Sequence, residues 1–156
     1  MNSYSELLRY IKKLAKEDEY ITTVLSRVTD DFDWEKANVF PIMNMSILSG
    51  SFTSTATVLF NVELTCVDKR IINKVDANDK FWSNDNEVDN HNATLNSLTT
   101  LWVKMNRDFA KNNITASDSP TINQIEFEGM NLADGWTMTF DVEMPIEEVN
   151  LCSEEC

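Results

Sequence analysis

Two stretches alternate apolar and polar side chains, one strongly and one without a break, and they constrain the fold more than any other feature. In TATVLFNVELTCVD (55–68), Ala56, Val58, Phe60, Val62, Leu64 and Cys66 share one side. In DGWTMTFDVEMPI (134–146), Trp136, Met138, Phe140, Val142 and Met144 share one side, and Thr137, Thr139, Asp141 and Glu143 share the other. A period of two suits a strand with one dry face; a helix would scatter these residues around its axis. Each run therefore predicts a long strand in a sheet that is covered on one face.

The remaining elements follow from local signals. YITTVLSRV (20–28) is rich in β-branched residues and predicts a strand, followed by a polar link over 30–38. VFPIMNMSIL (39–48) predicts a strand with Pro41 at its start or on an edge, since proline cannot donate to a ladder. SGSFTS is turn-like, so this strand and 55–68 form a hairpin with a loop of about five residues. TINQIEFE (121–128) and the 134–146 run make a last pair of strands. Ser3 and Glu6 have capping-box spacing ahead of Leu7, Leu8, Ile11 and Leu14, which predicts a helix over 4–17 with Arg9, Lys12, Lys13 and Lys16 on its solvent side. Val88, Leu95, Leu98, Trp102, Met105 and Phe109 recur at three and four and predict a long second helix, with Asn84 and Glu87 as its cap. Strands in consecutive runs rather than alternating with helices predict an α+β fold. The expectation is a mostly antiparallel sheet of about four or five strands with two helices packed on it. Residues 1–146 form one domain, and 147–156 form an acidic tail.

Charge narrows the function classes. Twenty-six acidic against thirteen basic residues give a net charge of −13, which disfavours nonspecific binding to nucleic acid. No apolar stretch is long enough to span a membrane, and the N-terminus lacks a signal-peptide pattern, so the chain is expected to stay in the cytoplasm of the cell that makes it. Cys66, Cys152 and Cys156 are odd in number, and no disulfide framework is expected. A zinc site would need all three together with His91, the only histidine. Asp85, Glu87 and Asp89 alternate as in a calcium loop, but Asn90 and Asn96 stand where that loop needs Gly and Glu. Nucleophile-elbow, Walker and zincin motifs are absent from the sequence, and its three glycines are too few for a phosphate-cradling loop. Neither a cofactor nor enzymatic activity is expected.

The candidate functional residues are therefore surfaces. The polar stretch 68–86 is long for a connection in a small domain, which points to a role against a partner. Lys69, Arg70, Lys74, Phe81 and Trp82 are its candidate contacts to a neighbouring subunit. From Asn112 to Cys156 there is no Lys or Arg, against ten Asp and Glu. Glu126, Glu128, Asp141 and Glu143 are expected to fall outward of the apolar faces set by Ile125, Phe127, Trp136, Phe140 and Val142, forming one acidic sheet surface. The basic first helix and the acidic tail suit contacts of opposite sign between copies, closing head to tail into a ring.

Three stretches together, VFPIMNMSI (39–47), FNVELTCVD (60–68) and GWTMTFDVEMPIEEVNLC (135–152), resemble a group of small structural proteins of tailed bacteriophages, especially phages of Bacteroidota. Phe40, Pro41, Trp136 and Phe140 carry the resemblance as fold markers. The order of helix, hairpin, helix and hairpin is also similar to tail terminator and head–tail connector proteins. The resemblance implies a virion protein that forms a homo-oligomeric ring, six-fold or twelve-fold, at the head–tail junction. Its partners would be tail-tube, connector or portal proteins, with DNA passing through without specific binding and no membrane involved. Glu126, Glu128, Asp141 and Glu143 would then line the channel. An adaptor ring beneath the portal is the alternative within this class; an acidic host-interaction or DNA-mimic protein is the alternative outside it.

Overall fold

A computed structural model describes residues 3–26, 39–71, 86–128 and 133–146, with the side chains of 127 and 128 left aside. The chain runs α1 (Ser3–Lys16), β1 (Thr23–Leu25), β2 (Ile42–Phe52), β3 (Thr57–Lys69), α2 (Glu87–Lys111), β4 (Thr115–Ala116), β5 (Thr121–Glu128) and β6 (Ala133–Pro145). The fold is α+β, as expected. The sheet has six strands in the order β1-β2-β3-β6-β4, with β5 also pairing with β6. The two-residue β4 is the strand that the sequence did not announce. The sheet is mixed, because β1 pairs with β2 in parallel. β1 is also much shorter than the expected 20–28. Only Thr23–Leu25 reach β2, while the amides of Thr22 and Thr23 both donate to the Pro41 carbonyl. Pro41 stands immediately before β2, after a cis peptide bond from Phe40.

The two alternating runs become the central pair, β3 and β6, in unbroken antiparallel register from Thr57↔Pro145 to Lys69↔Ala133. Gly135 makes this pairing possible: a Cβ there would lie 2.0 Å from the Cys66 carbonyl oxygen, so no other residue fits. The β2–β3 hairpin departs from the expected SGSFTS turn. β2 continues through Phe52, and the turn is 53–56. Gly50 lies inside the strand, where a Cβ would press to 3.2 Å from the Phe60 ring. Hydroxyls build the turn. Thr57 Oγ1 lies 2.6 Å from Thr53 Oγ1 and 2.7 Å from Ser54 Oγ, and the Ala56 amide donates to Ser54 Oγ. The register slips between Ile47 and Ser49, which leaves Leu48 as a bulge residue.

Both helices cover the same face of the sheet. Leu7, Tyr10, Ile11 and Leu14 of α1 and Leu98, Leu101, Met105 and Phe109 of α2 bury against Met43, Met45, Val62, Leu64, Cys66, Phe140 and Met144. The buried stripe of α2 is rotated from the one expected. Val88 is 53% exposed and Leu95 half-buried, while Asn90, Thr94, Ser97 and Leu101 turn inward. Trp102 lies at the margin of this stripe, half-buried, with its ring edge-on to Phe140 at 5.0 Å. Asn86 is the residue at the α2 N-cap; it makes no side-chain capping bond, and Asn84 lies outside the described residues.

Candidate functional site

The face of the sheet opposite the helices is the first candidate surface. Directly opposed residues of antiparallel strands point the same way. The register therefore places Asn61 beside Asp141, Leu59 beside Glu143, Glu63 beside Thr139 and Thr65 beside Thr137 on this face. Asn61 Nδ2 donates to Asp141 Oδ1 at 2.7 Å, and Thr53 Oγ1 donates to Glu143 Oε1 at 2.6 Å. Glu63 adds a third carboxylate diagonal to Asp141. It was legible in FNVELTCVD, where it has the parity of Asn61 and Thr65 rather than that of Val62 and Leu64. One end of this face is apolar, with Ile42, Val67 and Ala133 buried together beneath Leu25, Phe40 and Ile125.

The four expected acids do not share one surface. Asp141 and Glu143 lie on the helix-free face. Glu126 does not: Gln124 pairs with Trp136, which puts the even-numbered residues of β5 on the helix side. Gln124 Nε2 donates to Glu126 Oε1 at 3.3 Å, and the same oxygen lies 3.9 Å from His91 Nε2 of α2. The expectation failed because Ile125 was assigned to the main core. It belongs to the small apolar cluster on the opposite face, and one step of parity carries every neighbour across. Glu128 aligns with Ala133 across a register shift, and its side chain is not among those described.

The second candidate surface is the start of α2, where polar side chains gather. Arg70 follows β3 directly and is 4% exposed. Its Nε and Nη2 each donate to Asp134 at 2.6 Å, and its Nη1 lies 2.9 Å from Glu87. The Asp134 hydrogen bonds, opposed by burial, hold the guanidinium above its ordinary range, so it stays charged at any accessible pH. Asn86 and Asn90 both donate to the Lys69 carbonyl, and Asn86 Oδ1 accepts from the Ile71 amide. These residues fasten the end of β3 and the start of β6 to the first turn of α2. This corrects the expectation for Arg70, which was a contact to a neighbouring subunit: its guanidinium is turned inward. Lys69 lies within β3 and has the parity of the helix-free face. Lys74, Phe81 and Trp82 lie outside the described residues.

His91 sits beside this lock. Both ring nitrogens are buried without a hydrogen-bond partner among the described residues, and the ring lies edge-on to Trp136 at 5.9 Å. Trp136 Nε1 donates to the His91 carbonyl at 3.0 Å. Two phenols are held by carboxylates elsewhere, Tyr10 by Asp108 at 2.8 Å and Tyr20 by Asp68 at 2.7 Å. Burial first, and then these bonds, push both phenols well above their ordinary range. Burial does the same to the Cys66 thiol, which faces the core as the sequence predicts. Among the described residues no three His, Cys, Asp or Glu side chains converge as a metal site. No protein-family model matches the chain, and neither does any curated protein.

Proposed function

We propose that this chain is a ring-forming structural subunit of a tailed-phage particle, placed at the head–tail junction as a tail terminator that caps the tail tube. The observation that carries the reading is the division of the sheet into two unlike faces. Both helices bury one face, while the other holds Glu63, Asp141 and Glu143 among Asn and Thr residues. Such a sheet suits the wall of a channel, with helices outward and the polar face toward the lumen. DNA carries one charge about every 1.7 Å of axis, so a basic wall would grip it and an acidic wall lets it slide. The resemblance of 39–47, 60–68 and 135–152 to phage structural proteins points the same way. An adaptor ring beneath the portal uses the same wall and differs in its position within the particle.

The test is a variant with Glu63, Asp141 and Glu143 all replaced by Lys in an assembling phage. It should fold and join particles, and genome ejection should slow or stop. Ejection at the normal rate from particles that contain the variant would overturn the reading, as would the absence of the chain from purified particles.

A further inference from the structure

The sheet ends in two unlike edges. β1 reaches only residues 42–44 of β2, so Ser49–Phe52 pair with β3 alone among the described residues, and Leu48 is the bulge residue that precedes them. All five are exposed, Leu48 at 53% and Phe52 at 79%. At the other edge, β5 pairs with β6 alone, and 121–124 are exposed. A strand bonded on one side presents a row of backbone donors and acceptors on the other, and proteins normally blunt such an edge with Lys, Pro or inward charges. Neither stretch carries any of these: one reads Leu-Ser-Gly-Ser-Phe and the other Thr-Ile-Asn-Gln-Ile, and the bulge at Leu48 sits only at the start of the first, leaving Ser49–Phe52 in regular pairing.

Charge identifies the occupant. Two copies of a chain with net charge −13 repel unless they meet through uncharged surface or surfaces of opposite sign, and only uncharged surface is offered by these two edges. No residue from Ala37 to Val62 is charged, and none from Thr121 to Ile125, in a chain that is otherwise dense in carboxylates. Strand direction agrees. β2 and β6 run one way and β3 and β5 the other, so β5 of one copy meets β2 of a like-oriented copy antiparallel. Ser51 pairs with Leu59 and Asn123 with Thr137, so both side chains lie on the helix-free face.

We propose that copies of this chain join edge to edge, with Leu48–Phe52 of β2 in one copy pairing with Thr121–Ile125 of β5 in the next. The two edges differ, so the contact is head to tail and repeats from copy to copy. This deepens the ring reading and rests on it for the claim that the chain is repeated.

The test is chemical cross-linking of the full chain carrying Cys152→Ser and Cys156→Ser, in which Cys66 is buried. Ser51→Cys and Asn123→Cys are added singly and together, and the protein is treated at high concentration with a short bis-maleimide. Both sites are exposed strand positions where substitution leaves folding nearly unchanged. Ser49→Cys serves in place of Ser51→Cys should circular dichroism show a loss of fold. The double variant should give a ladder of dimer, trimer and larger species, and each single variant should give none. Dimers from the Ser51→Cys single variant would mean that like edges pair, and no ladder from the double variant would mean that the edges do not meet. Either result overturns the proposal. A ladder formed by a chain that is missing from phage particles would retire the virion reading and leave the edge contact standing.

Discussion

Replacing Asp134 by Asn tests whether the buried lock at the start of α2 holds the fold together. Asp134 is 0% exposed and receives two charge-assisted bonds from Arg70, both at 2.6 Å. Bonds to charged groups contribute about 1.5–3 kcal/mol each, and removing one partner of a buried pair costs about 3–5 kcal/mol because the other charge stays behind. Glu87, at 2.9 Å from Arg70 and partly open to water, recovers part of this loss. The expected net loss is therefore about 3 kcal/mol, read as a fall in the urea midpoint at unchanged slope. Combining Asp134→Leu with Arg70→Met removes both charges and should restore most of the stability. A loss below about 1 kcal/mol for Asp134→Asn would refute the reasoning, as would a double variant weaker than the single one.

The rotated face of α2 predicts that Leu101→Ala costs about 3 kcal/mol and half-buried Trp102→Ala about 2, with Val88→Ala near zero; equal losses at 88 and 101 in denaturant titrations would contradict the packing described. Gly135→Ala must force a Cβ into the Cys66 carbonyl, so a loss of about 3 kcal/mol or failure to fold is expected, and a near-neutral variant would show that the β3–β6 register is wrong. Folding holds the phenol protons of Tyr10 and Tyr20 more tightly than the unfolded chain does. Stability should thus be independent of these groups below about pH 10 and fall above it by about 1.4 kcal/mol per pH unit for each. Tyr10→Phe and Tyr20→Phe should each flatten that alkaline slope, and an unchanged slope in both would remove the basis for it.

The parts of the fold that could be read from the sequence are those where one side chain pattern has one physical solution. The period of two in 55–68 and 134–146 specified β3, β6 and their dry face, because no other backbone puts Val62, Leu64, Phe140 and Val142 on one side. Glycine misled at Gly50, which was read as part of a turn but lies within β2 against the Phe60 ring; Gly135 was rightly placed in a strand, but its close approach to the Cys66 carbonyl is something a single sequence does not reveal. β5 misled because Ile125 has two apolar surroundings to choose from, and the choice depends on a cluster contributed by β2, β3 and β6. The lock of Arg70 with Asp134 joins residues 64 positions apart. In the sequence Arg70 looked like one more base in a polar loop. The acidic residues of the helix-free face were half legible. Asp141 and Glu143 followed from parity, Glu63 could have, and Glu126 went to the other side.

The two ends of the described chain leave from the same pole of the molecule. Tyr4 sits against Phe60, and the Ile146 amide donates to the Ala56 carbonyl in the 53–56 turn. Ser3 and Ile146 therefore lie near that turn, while Arg70, Asn86 and His91 occupy the far pole. The first helix and the last strand of the described residues are thus tied at one end of the sheet, and the buried polar lock closes the other, so that the two ends of the molecule are held by different physics: aromatic and backbone contacts at one, paired charges at the other.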